Sequence, residues 1–263
     1  INAGDGNDNI KINGYNNNVY GGNGNDNITF TEKAYNQGSY TVDGGAGDDI
    51  IEIKGSNTSG LITGGNDNDI INISGNNNTN VRGGQGNDTI TISGNNNEIF
   101  GEDGADTITT TGTNNAIDGG NGNDKIYVKS DNNSAMITGG AGNDYISVTG
   151  TNNSNIHGGA GTDSLYQTSS ILNCDEFEDI TSTLSTGDFS LAANTQVKIN
   201  ILGRIYTFYS PYTQIVNYEI VNNVLNLSAN NTTITSKDGV NDYLKIVGNS
   251  NNINIKNGND SLI

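Results

Sequence analysis

Apolar and polar residues alternate along the chain in short segments that recur at a nearly constant interval. Ile90 and Ile92 flank a threonine, and Ile126 and Val128 flank a tyrosine in the same way. An alternation with a period of two is typical of a β-strand with one buried face, whereas a helix requires apolar spacings of three and four. The pattern therefore predicts many short strands, each with one apolar side.

A glycine-rich turn that ends in aspartate precedes each of nine such segments. Six copies read G-G-x-G-x-D without substitution: GGNGND (21–26), GGAGDD (44–49), GGQGND (83–88), GGNGND (119–124), GGAGND (139–144) and GGAGTD (158–163). Three copies carry one substitution each: AGDGND (3–8), GGNDND (64–69) and GEDGAD (101–106). An aliphatic residue follows two places after each aspartate, and successive turns begin 18, 23, 20, 19, 18, 18, 20 and 19 residues apart. The first part of the chain is therefore an internal repeat.

The second half of each repeat is rich in asparagine rather than aspartate. SGNNNEIF (93–100) and TGTNNAI (111–117) are examples, and both lead into an aliphatic residue. Asparagine takes left-handed backbone geometry more readily than most residues. We therefore expect Asn96 and Asn114 to turn the chain there, with neighbouring amides forming ladders. One repeat thus holds two strands and two turns.

Strands this short bury a face only when successive repeats stack, which places their isoleucines in one internal column. The sequence therefore predicts an all-β protein, a right-handed parallel β-roll or β-helix with coils of 18–20 residues and a small inserted β element. We expect the roll at residues 1–166, an inserted β-hairpin or capping element at 167–223, and a degenerate continuation of the roll at 224–263.

The composition excludes several classes of protein. The chain has 263 residues, of which 37 are glycine and 32% are hydrophobic, and its net charge is −18. So few apolar residues would favour disorder if they were not periodic, and the negative charge disfavours nucleic acid and anionic membranes as partners. The single Cys174 excludes an internal disulfide, and no apolar stretch is long enough for membrane insertion. Because residue 1 falls inside a repeat, we expect the chain to be part of a longer protein.

The aspartate of the glycine turn needs an explanation beyond turn geometry. Gly, Asn and Asp all favour tight turns, yet the last position is Asp in nine of nine copies. Stacked coils bring these carboxylates about 4.8 Å apart, where unscreened charges repel strongly. The 11 basic residues are spread along the chain and do not neutralise them. A bound cation is therefore expected between the aspartates.

Calcium fits the available ligands best. It takes about six to eight oxygen ligands, including carboxylates and backbone carbonyls, in irregular geometry, whereas magnesium demands a stricter octahedron with retained waters. Zinc prefers His and Cys, and the chain has one of each.

The stretch GGQGNDTIT (83–91) resembles the nonapeptide repeat of the RTX family, the hemolysin-type calcium-binding proteins. The resemblance covers residues 1–166 and implies a calcium-loaded parallel β-roll. Each ion would lie between stacked turns, held by carbonyls of the first and third places of one turn, carbonyls of the second and fourth places of the next, and both aspartates. Nine turns imply about eight Ca²⁺ ions. Members of the family often carry the motif on both corners of a coil, and because only one corner has it here, we expect a single row of ions.

The resemblance implies metal-binding positions in all nine turns, through aspartate carboxylates and backbone oxygens. These positions are Asp8, Gly21, Gly22, Asn23, Gly24, Asp26, Gly44, Gly45, Ala46, Gly47, Asp49, Gly64, Gly65, Asn66, Asp67, Asp69, Gly83, Gly84, Gln85, Gly86, Asp88, Gly101, Glu102, Asp103, Gly104, Asp106, Gly119, Gly120, Asn121, Gly122, Asp124, Gly139, Gly140, Ala141, Gly142, Asp144, Gly159, Gly161 and Asp163. The sites that include Asp67 and Glu102 depart from the pattern, because a side chain stands where a permissive glycine is expected.

Aromatic residues crowd the segment that follows the repeats. The alternating stretch VKINILGRIYTFY (197–209) predicts a β-hairpin centred on its LGR. Two interpretations of the rings stay open: a small core that packs on the roll, or an aromatic surface for a glycan or another partner. The rings concerned are Tyr206, Phe208, Tyr209, Tyr212 and Tyr218.

Weak copies of the glycine turn return near the end, in DGVNDYLKI (238–246) and KNGNDSLI (256–263). Asp242 lacks most of the accompanying glycines and is interpreted as structural. Asp260 fits either a structural or a metal-binding role.

The sequence and the resemblance together predict a calcium-binding structural module that folds when calcium binds. It would belong to a large RTX protein, adhesin- or toxin-like, that is secreted or attached to a bacterial surface. As a fragment we expect a monomer whose partners are calcium ions, with no host-surface or glycan ligand identifiable from the residues.

Two other functions stay open as alternatives. An ice- or glycan-binding adhesin face is one, although the outward positions of the turns lack a threonine ladder. A module of a polysaccharide lyase or epimerase is the other, with Arg82 and Arg204 as the only arginines and His157 as the only histidine. No nucleophile–base pair is visible, so we expect no enzymatic activity.

Overall fold

Short strands stack coil upon coil along most of the chain, as the alternation of apolar residues predicts. The computed structural model describes residues 1–13, 17–31, 40–56, 60–78, 80–168, 171–175, 177, 179–182, 186–191, 193–201, 204–221, 224–236, 243–254 and 261–262. Its strands form a β-solenoid of about 11 turns with about 19 residues per turn, and none of the described residues is in a helix.

Twenty strands build the main stack. They are β1 (Asn2–Asp5), β2 (Asn9–Ile12), β3 (Val19–Asn23), β4 (Asn27–Phe30), β5 (Val42–Ala46), β6 (Ile50–Ile53), β7 (Ile62–Asn66), β8 (Ile70–Ile73), β9 (Val81–Gln85), β10 (Thr89–Ile92), β11 (Glu98–Asp103), β12 (Thr107–Thr110), β13 (Ala116–Asn121), β14 (Lys125–Val128), β15 (Ile137–Ala141), β16 (Tyr145–Val148), β17 (Asn153–Ala160), β18 (Ser164–Gln167), β19 (Ile171–Asp175) and β20 (Asp179–Ser182). The odd-numbered strands form the first sheet and the even-numbered strands the second, with parallel neighbours throughout this stack.

The register of both sheets places equivalent residues of successive repeats next to each other. In the first sheet Gly65 pairs with Gly84, and in the second Ile90 pairs with Ile108. Because each coil repeats the same pairing, every sequence position of the motif becomes a column along the solenoid. A chemical feature of one repeat is thereby multiplied along the stack.

The interior is filled from both sheets, but unequally. The strands of the second sheet from β2 to β18 each turn two residues inward, such as Ile90 and Ile92, both fully buried. The strands of the first sheet from β3 to β17 each supply one aliphatic residue, such as Val81, because their other inward position is the first glycine of the turn. The two corners between the sheets hold buried Asp and Asn side chains instead of apolar ones.

Nine further strands complete the described chain. They are β21 (Thr186–Leu191), β22 (Thr195–Ile201), β23 (Arg204–Ser210), β24 (Gln214–Val221), β25 (Val224–Ser228), β26 (Thr233–Ser236), β27 (Tyr243–Val247), β28 (Asn252–Asn254) and β29 (Ser261–Leu262). β22 follows β20 in the second sheet as a parallel neighbour, and β23 then runs antiparallel to both β22 and β26. β21, β24 and β25 form a separate antiparallel group, which β27 and β29 extend in parallel.

The antiparallel pair β22–β23 confirms the hairpin predicted for residues 197–209. Tyr206, Phe208 and Tyr218 are buried in the core, whereas Tyr209 and Tyr212 are exposed. Three of the five rings therefore fit the interpretation as a small core, and the two exposed rings fit the interpretation as a surface. The right-handed winding and the division at residues 166 and 223 stay predictions, and Asp242 and Asp260 lie outside the described residues.

The stacked isoleucine column predicts a large difference between inward and outward substitutions on one strand. Ile90→Ala removes a fully buried side chain and should lower the free energy of unfolding by about 2–5 kcal/mol, because it leaves a cavity between coils. Thr91→Ala, one residue along on the exposed face, should change it by less than about 0.5 kcal/mol. Urea unfolding in saturating calcium measures both. Equal effects would contradict the assigned register.

Candidate metal centre at the glycine-aspartate corner

The glycines of the motif allow successive corners to stack in contact. Gly84 has a φ of +123°, a left-handed conformation that L-residues rarely adopt. A Cβ at Gly84 would lie 2.1 Å from the carbonyl oxygen of Gly65 in the preceding coil. The backbone of each corner therefore lies directly against the next, and any side chain at this place would separate them.

The nine aspartates of the motif form a hydrogen-bonded row along the inside of the corner. The backbone N–H of Asp69 donates to Oδ1 of Asp88 at 2.8 Å, and the N–H of Asp88 donates to Oδ1 of Asp106 at 2.7 Å. The same bond joins every successive pair from Asp8 to Asp163, at 2.6–2.8 Å. One oxygen of each carboxylate after the first thus holds the preceding coil.

The second carboxylate oxygen makes no such bond. Oδ2 is buried without a hydrogen-bond partner in eight of these described residues: Asp8, Asp26, Asp49, Asp69, Asp88, Asp106, Asp124 and Asp144. A Cβ at Gly83 would lie 2.2 Å from Oδ2 of Asp88 and 2.6 Å from the carbonyl oxygen of Gly101. Two acceptor oxygens therefore border the space beside Gly83, and the buried Oδ2 has no donor there, which is costly unless a cation or a proton binds it.

Burial makes the negative charge of the row expensive. The pKa of Asp69 is raised to about 8, that of Asp106 to about 7, and those of Asp49, Asp88 and Asp124 to about 6. Loss of hydration is the largest cause in each case, the hydrogen bond from the preceding amide opposes it, and the charge of nearby acidic residues adds to the rise. Without a cation the row is therefore prone to take up protons near neutral pH.

The opposite corner has the same architecture with asparagine in place of aspartate. The N–H of Asn78 donates to Oδ1 of Asn97 at 2.8 Å, which matches the bond of the aspartate row. The second polar atom is now a donor: Nδ2 of Asn97 bonds Oδ1 of Asn115 at 3.2 Å, and Nδ2 of Asn115 bonds the carbonyl of Gly94 at 2.9 Å. The Nδ2 atoms of Asn97 and Asn115 therefore have acceptors, whereas the Oδ2 atoms of the aspartate corner have no donor; Oδ1 of Asn133 is an exception in the asparagine corner, because it is buried without a partner.

The sequence prediction for the asparagine corner is confirmed. Asn96 and Asn114 have φ values of 55° and 56°, in the left-handed region, and the amides beside them form the expected ladder. Asp67 and Glu102, which replace glycines of the aspartate corner, are also left-handed, each with a φ of 76°.

The other predicted positions divide into backbone and side-chain groups. The carbonyl oxygens at the third place already accept a bond from the fourth glycine of the preceding coil, as in Gly86 N–H to Asp103 at 2.9 Å. One lone pair of each such carbonyl is left for a metal ion. The side chains at the third place, such as Asn23 and Gln85, are exposed and outside the row. Among the described residues, no three His, Cys, Asp or Glu side chains converge on one point, so a metal ion here needs backbone oxygens too.

The structure also shows a cluster that the sequence prediction missed. The carboxylate of Glu102 forms an ion pair with Arg82 of the preceding coil, and the guanidinium lies 5.0 Å from the ring centroid of Phe100. Nε of Arg82 donates to Oδ1 of Asn80 at 2.6 Å. The sequence does contain a signal for this cluster: the opposite charges of Arg82 and Glu102 are 20 residues apart, which is about one coil. The Glu102 side chain is therefore directed to Arg82 and not to the aspartate row.

Comparison with known families identifies the motif. A family model described as the RTX calcium-binding nonapeptide repeat (4 copies) matches residues 41–52, 73–108, 91–126, 100–135 and 138–166. The matched segments together cover less than half of the chain, and they are similar to RTX repeats. RTX repeats in general bind Ca²⁺, and the buried aspartate row fits such a calcium-binding ladder. No curated protein and no solved structure matches the chain.

Two further general findings concern the class of protein. RTX repeats in a β-solenoid form a calcium-binding structural module, and such rolls are typically non-catalytic. The family is associated with secreted proteins. Nothing helical in the described ranges has the length and apolar character that a bilayer-spanning segment requires.

The left-handed Asp67 predicts a stabilising substitution in the RTX corner. Asp67→Gly should raise the free energy of unfolding by about 1 kcal/mol, because glycine adopts a φ of 76° without steric cost. The gain is reduced by loss of the 3.2 Å bond from Gly47 N–H to Oδ2 of Asp67. Asn66→Gly, one residue earlier at the end of β7, is the matched control and should destabilise by about 0.5–1 kcal/mol. Urea unfolding in calcium distinguishes the two, and equal destabilisation would contradict the conformational argument.

The raised pKa values predict an inverted pH dependence for the calcium-free roll. The folded state holds Asp69 at a pKa of about 8 against an ordinary value of 3.8, so it binds more protons than the unfolded chain. The stability that these protonated aspartates contribute is therefore fully present below about pH 4 and is lost as the pH rises through their folded pKa values of about 6–8. Thermal unfolding in chelator should give a falling Tm over this interval. A Tm that rises with pH there would show that the aspartates are not buried in this way.

Proposed function

We propose that this chain is a non-catalytic module that folds on binding calcium, within a large secreted or surface-attached RTX protein of adhesin or toxin type. The row of buried Oδ2 atoms without a hydrogen-bond donor supports this proposal most directly. The comparable atoms of the asparagine corner donate hydrogen bonds. The contrast between the corners indicates that the aspartates need a cation.

The electrostatic cost of the row sets how strongly folding depends on that cation. Neighbouring carboxylates about 4.8 Å apart repel by about 3 kcal/mol per pair at an effective dielectric constant of about 20. Summed over the eight neighbouring pairs of the nine aspartates, this repulsion exceeds the whole stability of an ordinary domain, which is about 5–15 kcal/mol. A divalent ion between each pair would reverse the sign of this contribution.

The proposed ligands combine two stacked corners. For the ion between the corners at 83–88 and 101–106, we propose the carbonyls of Gly83 and Gln85 with the carboxylate of Asp88 on one side. Carbonyls of the next corner, together with the carboxylate of Asp106, complete the set. The repeat of this arrangement gives about eight calcium ions in one row.

Calcium binding would then be part of the folding equilibrium. Ions that bind the wound chain but not the extended one stabilise the wound state in proportion to the logarithm of calcium concentration. In a calcium-poor compartment, repulsion among the carboxylates keeps the chain extended and fit for passage through a secretion channel. In extracellular calcium, sites of modest affinity fill and the roll forms.

A catalytic role receives no support from the described side chains. Arg82 is held by Glu102 and Asn80, and in the described part of the chain no three His, Cys, Asp or Glu side chains converge on one point. An ice-binding role has one observation in its favour. Thr89 and Thr91 pair with Thr107 and Thr109 on the outward face of the second sheet. This array spans only two coils, so we do not adopt it.

A calcium titration tests the proposed function. In excess chelator at pH 7.5, far-UV circular dichroism should show an unfolded chain, and added calcium should restore the β signal cooperatively. A β-sheet spectrum that is the same with chelator and with calcium would refute calcium-dependent folding.

A matched pair of variants replaces aspartate with asparagine at one corner and asparagine with aspartate at the other. Asp88→Asn keeps the oxygen that binds the amide of Asp69 and provides an Nδ2 donor for the carbonyl of Gly101. It should bind fewer calcium ions by calorimetry, yet keep more β signal in chelator than the parent chain. Asn97→Asp is the reverse change and should lower stability with or without calcium, because two acceptors then face each other at Asn115. If Asp88→Asn left the ion count unchanged, the aspartate row would not be the calcium site.

A further inference from the structure

The outward face of the second sheet contains no carboxylate over five consecutive strands, β10, β12, β14, β16 and β18. Its outward residues, assigned by the strand register and the alternation, are Thr89, Thr91, Thr107, Thr109, Lys125, Tyr127, Tyr145, Ser147, Ser164 and Tyr166. We call these residues the carboxylate-free face. The chain has 29 acidic residues and only 11 basic ones, so a neutral-to-basic surface of this extent differs from the average composition of the chain.

Aromatic and basic side chains concentrate at one end of this face. The rings of Tyr127 and Tyr145 meet edge to face with their centroids 6.1 Å apart. Nζ of Lys129, just past the end of β14, lies 5.8 Å from the ring centroid of Tyr127. Lys125 is the register neighbour of Tyr145, and both lysines are exposed. Two cations and two rings therefore form one continuous patch.

A third tyrosine extends the patch by one coil. Ser147 is the register neighbour of Tyr127 on one side and Tyr166 on the other. Although its side chain points outward in the alternation of β16, Ser147 is only 7% exposed, because the surrounding tyrosines cover it. The three tyrosines are only half-buried themselves, so their outer surfaces form a platform over this serine.

The outer face of the first sheet has the opposite character. A groove of about 650 Å³ runs over its glycines and is lined by Asp5, Asp43 and Glu102, among others. A second groove of about 590 Å³ continues it past Asp103 and Asp118. The solenoid therefore presents one acidic face and one face that carries cations, rings and hydroxyls. An anionic ligand is repelled from the first and attracted to the second.

We propose that the carboxylate-free face binds an extended glycan that carries carboxylate or sulfate groups. The tyrosine rings provide flat apolar surfaces with a polar edge for the C–H faces of sugar rings, and Lys125 and Lys129 pair with the anionic substituents. The threonine and serine hydroxyls continue along the same strands as hydrogen-bonding groups for sugar hydroxyls. The coil spacing of about 4.8 Å is close to the rise of one sugar unit in an extended chain.

The proposal rests on the proposed function, because calcium changes the charge of the whole module. About eight bound Ca²⁺ ions would offset about sixteen of the 18 net negative charges. In the calcium-loaded roll the local charge of the face then governs which ligand approaches. Glycan binding is therefore a property of the wound, calcium-loaded state.

Binding of defined oligosaccharides to the full chain in saturating calcium tests the proposal. The probes are a sulfated dodecasaccharide, a uronate dodecasaccharide and an uncharged glucose dodecasaccharide, measured by calorimetry. Binding of the sulfated or the uronate probe, at least tenfold tighter than the uncharged one, supports the proposal and identifies the anionic group. Failure of both charged probes, equal binding of the uncharged one, or equal binding of a single-stranded DNA 12-mer would overturn it.

Matched variants locate the binding surface. Tyr145→Ala and Lys129→Gln should each weaken binding of the anionic probe about fivefold, and Lys129→Gln should also reduce its salt dependence. The controls are Tyr20→Ala, an exposed tyrosine on the first sheet, and Lys11→Gln, an exposed lysine near the start of the second. Both should bind like the parent chain, and binding reduced equally by the controls would overturn the assignment.

Calcium stoichiometry and the circular dichroism spectrum separate this proposal from the proposed function. All four variants lie outside the aspartate row and should keep the calcium count and the β spectrum of the parent chain. A chain that folds on calcium yet binds neither charged probe would refute the glycan surface alone.

Discussion

The structure depends on one constraint: a column of carboxylates is enclosed inside a corner that offers half of their oxygens no hydrogen-bond donor. Oδ1 of each aspartate after the first holds the amide of the coil before it, so the side chain cannot turn out to solvent without breaking the ladder. Oδ2 then remains buried without a hydrogen-bond donor. The fold thus ties its own backbone hydrogen bonds to the presence of positive charge.

The two corners share one backbone arrangement but differ in whether they need a bound ion. Both use a side-chain oxygen to accept the amide of an adjacent coil, at 2.8 Å from Asn78 to Asn97 and 2.7 Å from Asp88 to Asp106. Asparagine supplies a donor with its second atom, which bonds an oxygen of the corner itself. Aspartate supplies an acceptor, and its corner is complete only with an ion. The second side-chain atom, nitrogen in asparagine and oxygen in aspartate, therefore determines whether a corner needs a bound cation.

Sequence alone predicted the features that repeat. The alternation of Ile90 and Ile92, the spacing of the turns, the left-handed Asn96 and the hairpin at 197–209 all follow from local patterns, because local propensity and the period of the repeat determine them. The aspartate row was predicted as well, since stacking converts a sequence position into a column. The sequence could not predict which carbonyls already accept a backbone hydrogen bond, such as those at the third place of the turn. This depends on the detailed geometry of stacked turns.

The sequence alone did not predict single contacts between side chains of neighbouring strands, which depend on how those strands align. Lys125 and Tyr145 are neighbours only because β14 and β16 pair without a shift, and Arg82 meets Glu102 for the same kind of reason. Neither contact leaves a periodic signal, since each occurs once.

The aspartate ladder has a direction, and this affects how the protein tolerates shortening. Each amide belongs to one coil and the carboxylate that accepts it to the following coil. Trimming from the amino-terminal side removes donors, and every aspartate that remains keeps the acceptor for its own N–H. Trimming from the carboxyl-terminal side takes an acceptor away and leaves the last aspartate with an unsatisfied backbone group. The two ends of the solenoid are therefore not equivalent, because each coil depends on the following coil for the oxygen that accepts its aspartate N–H.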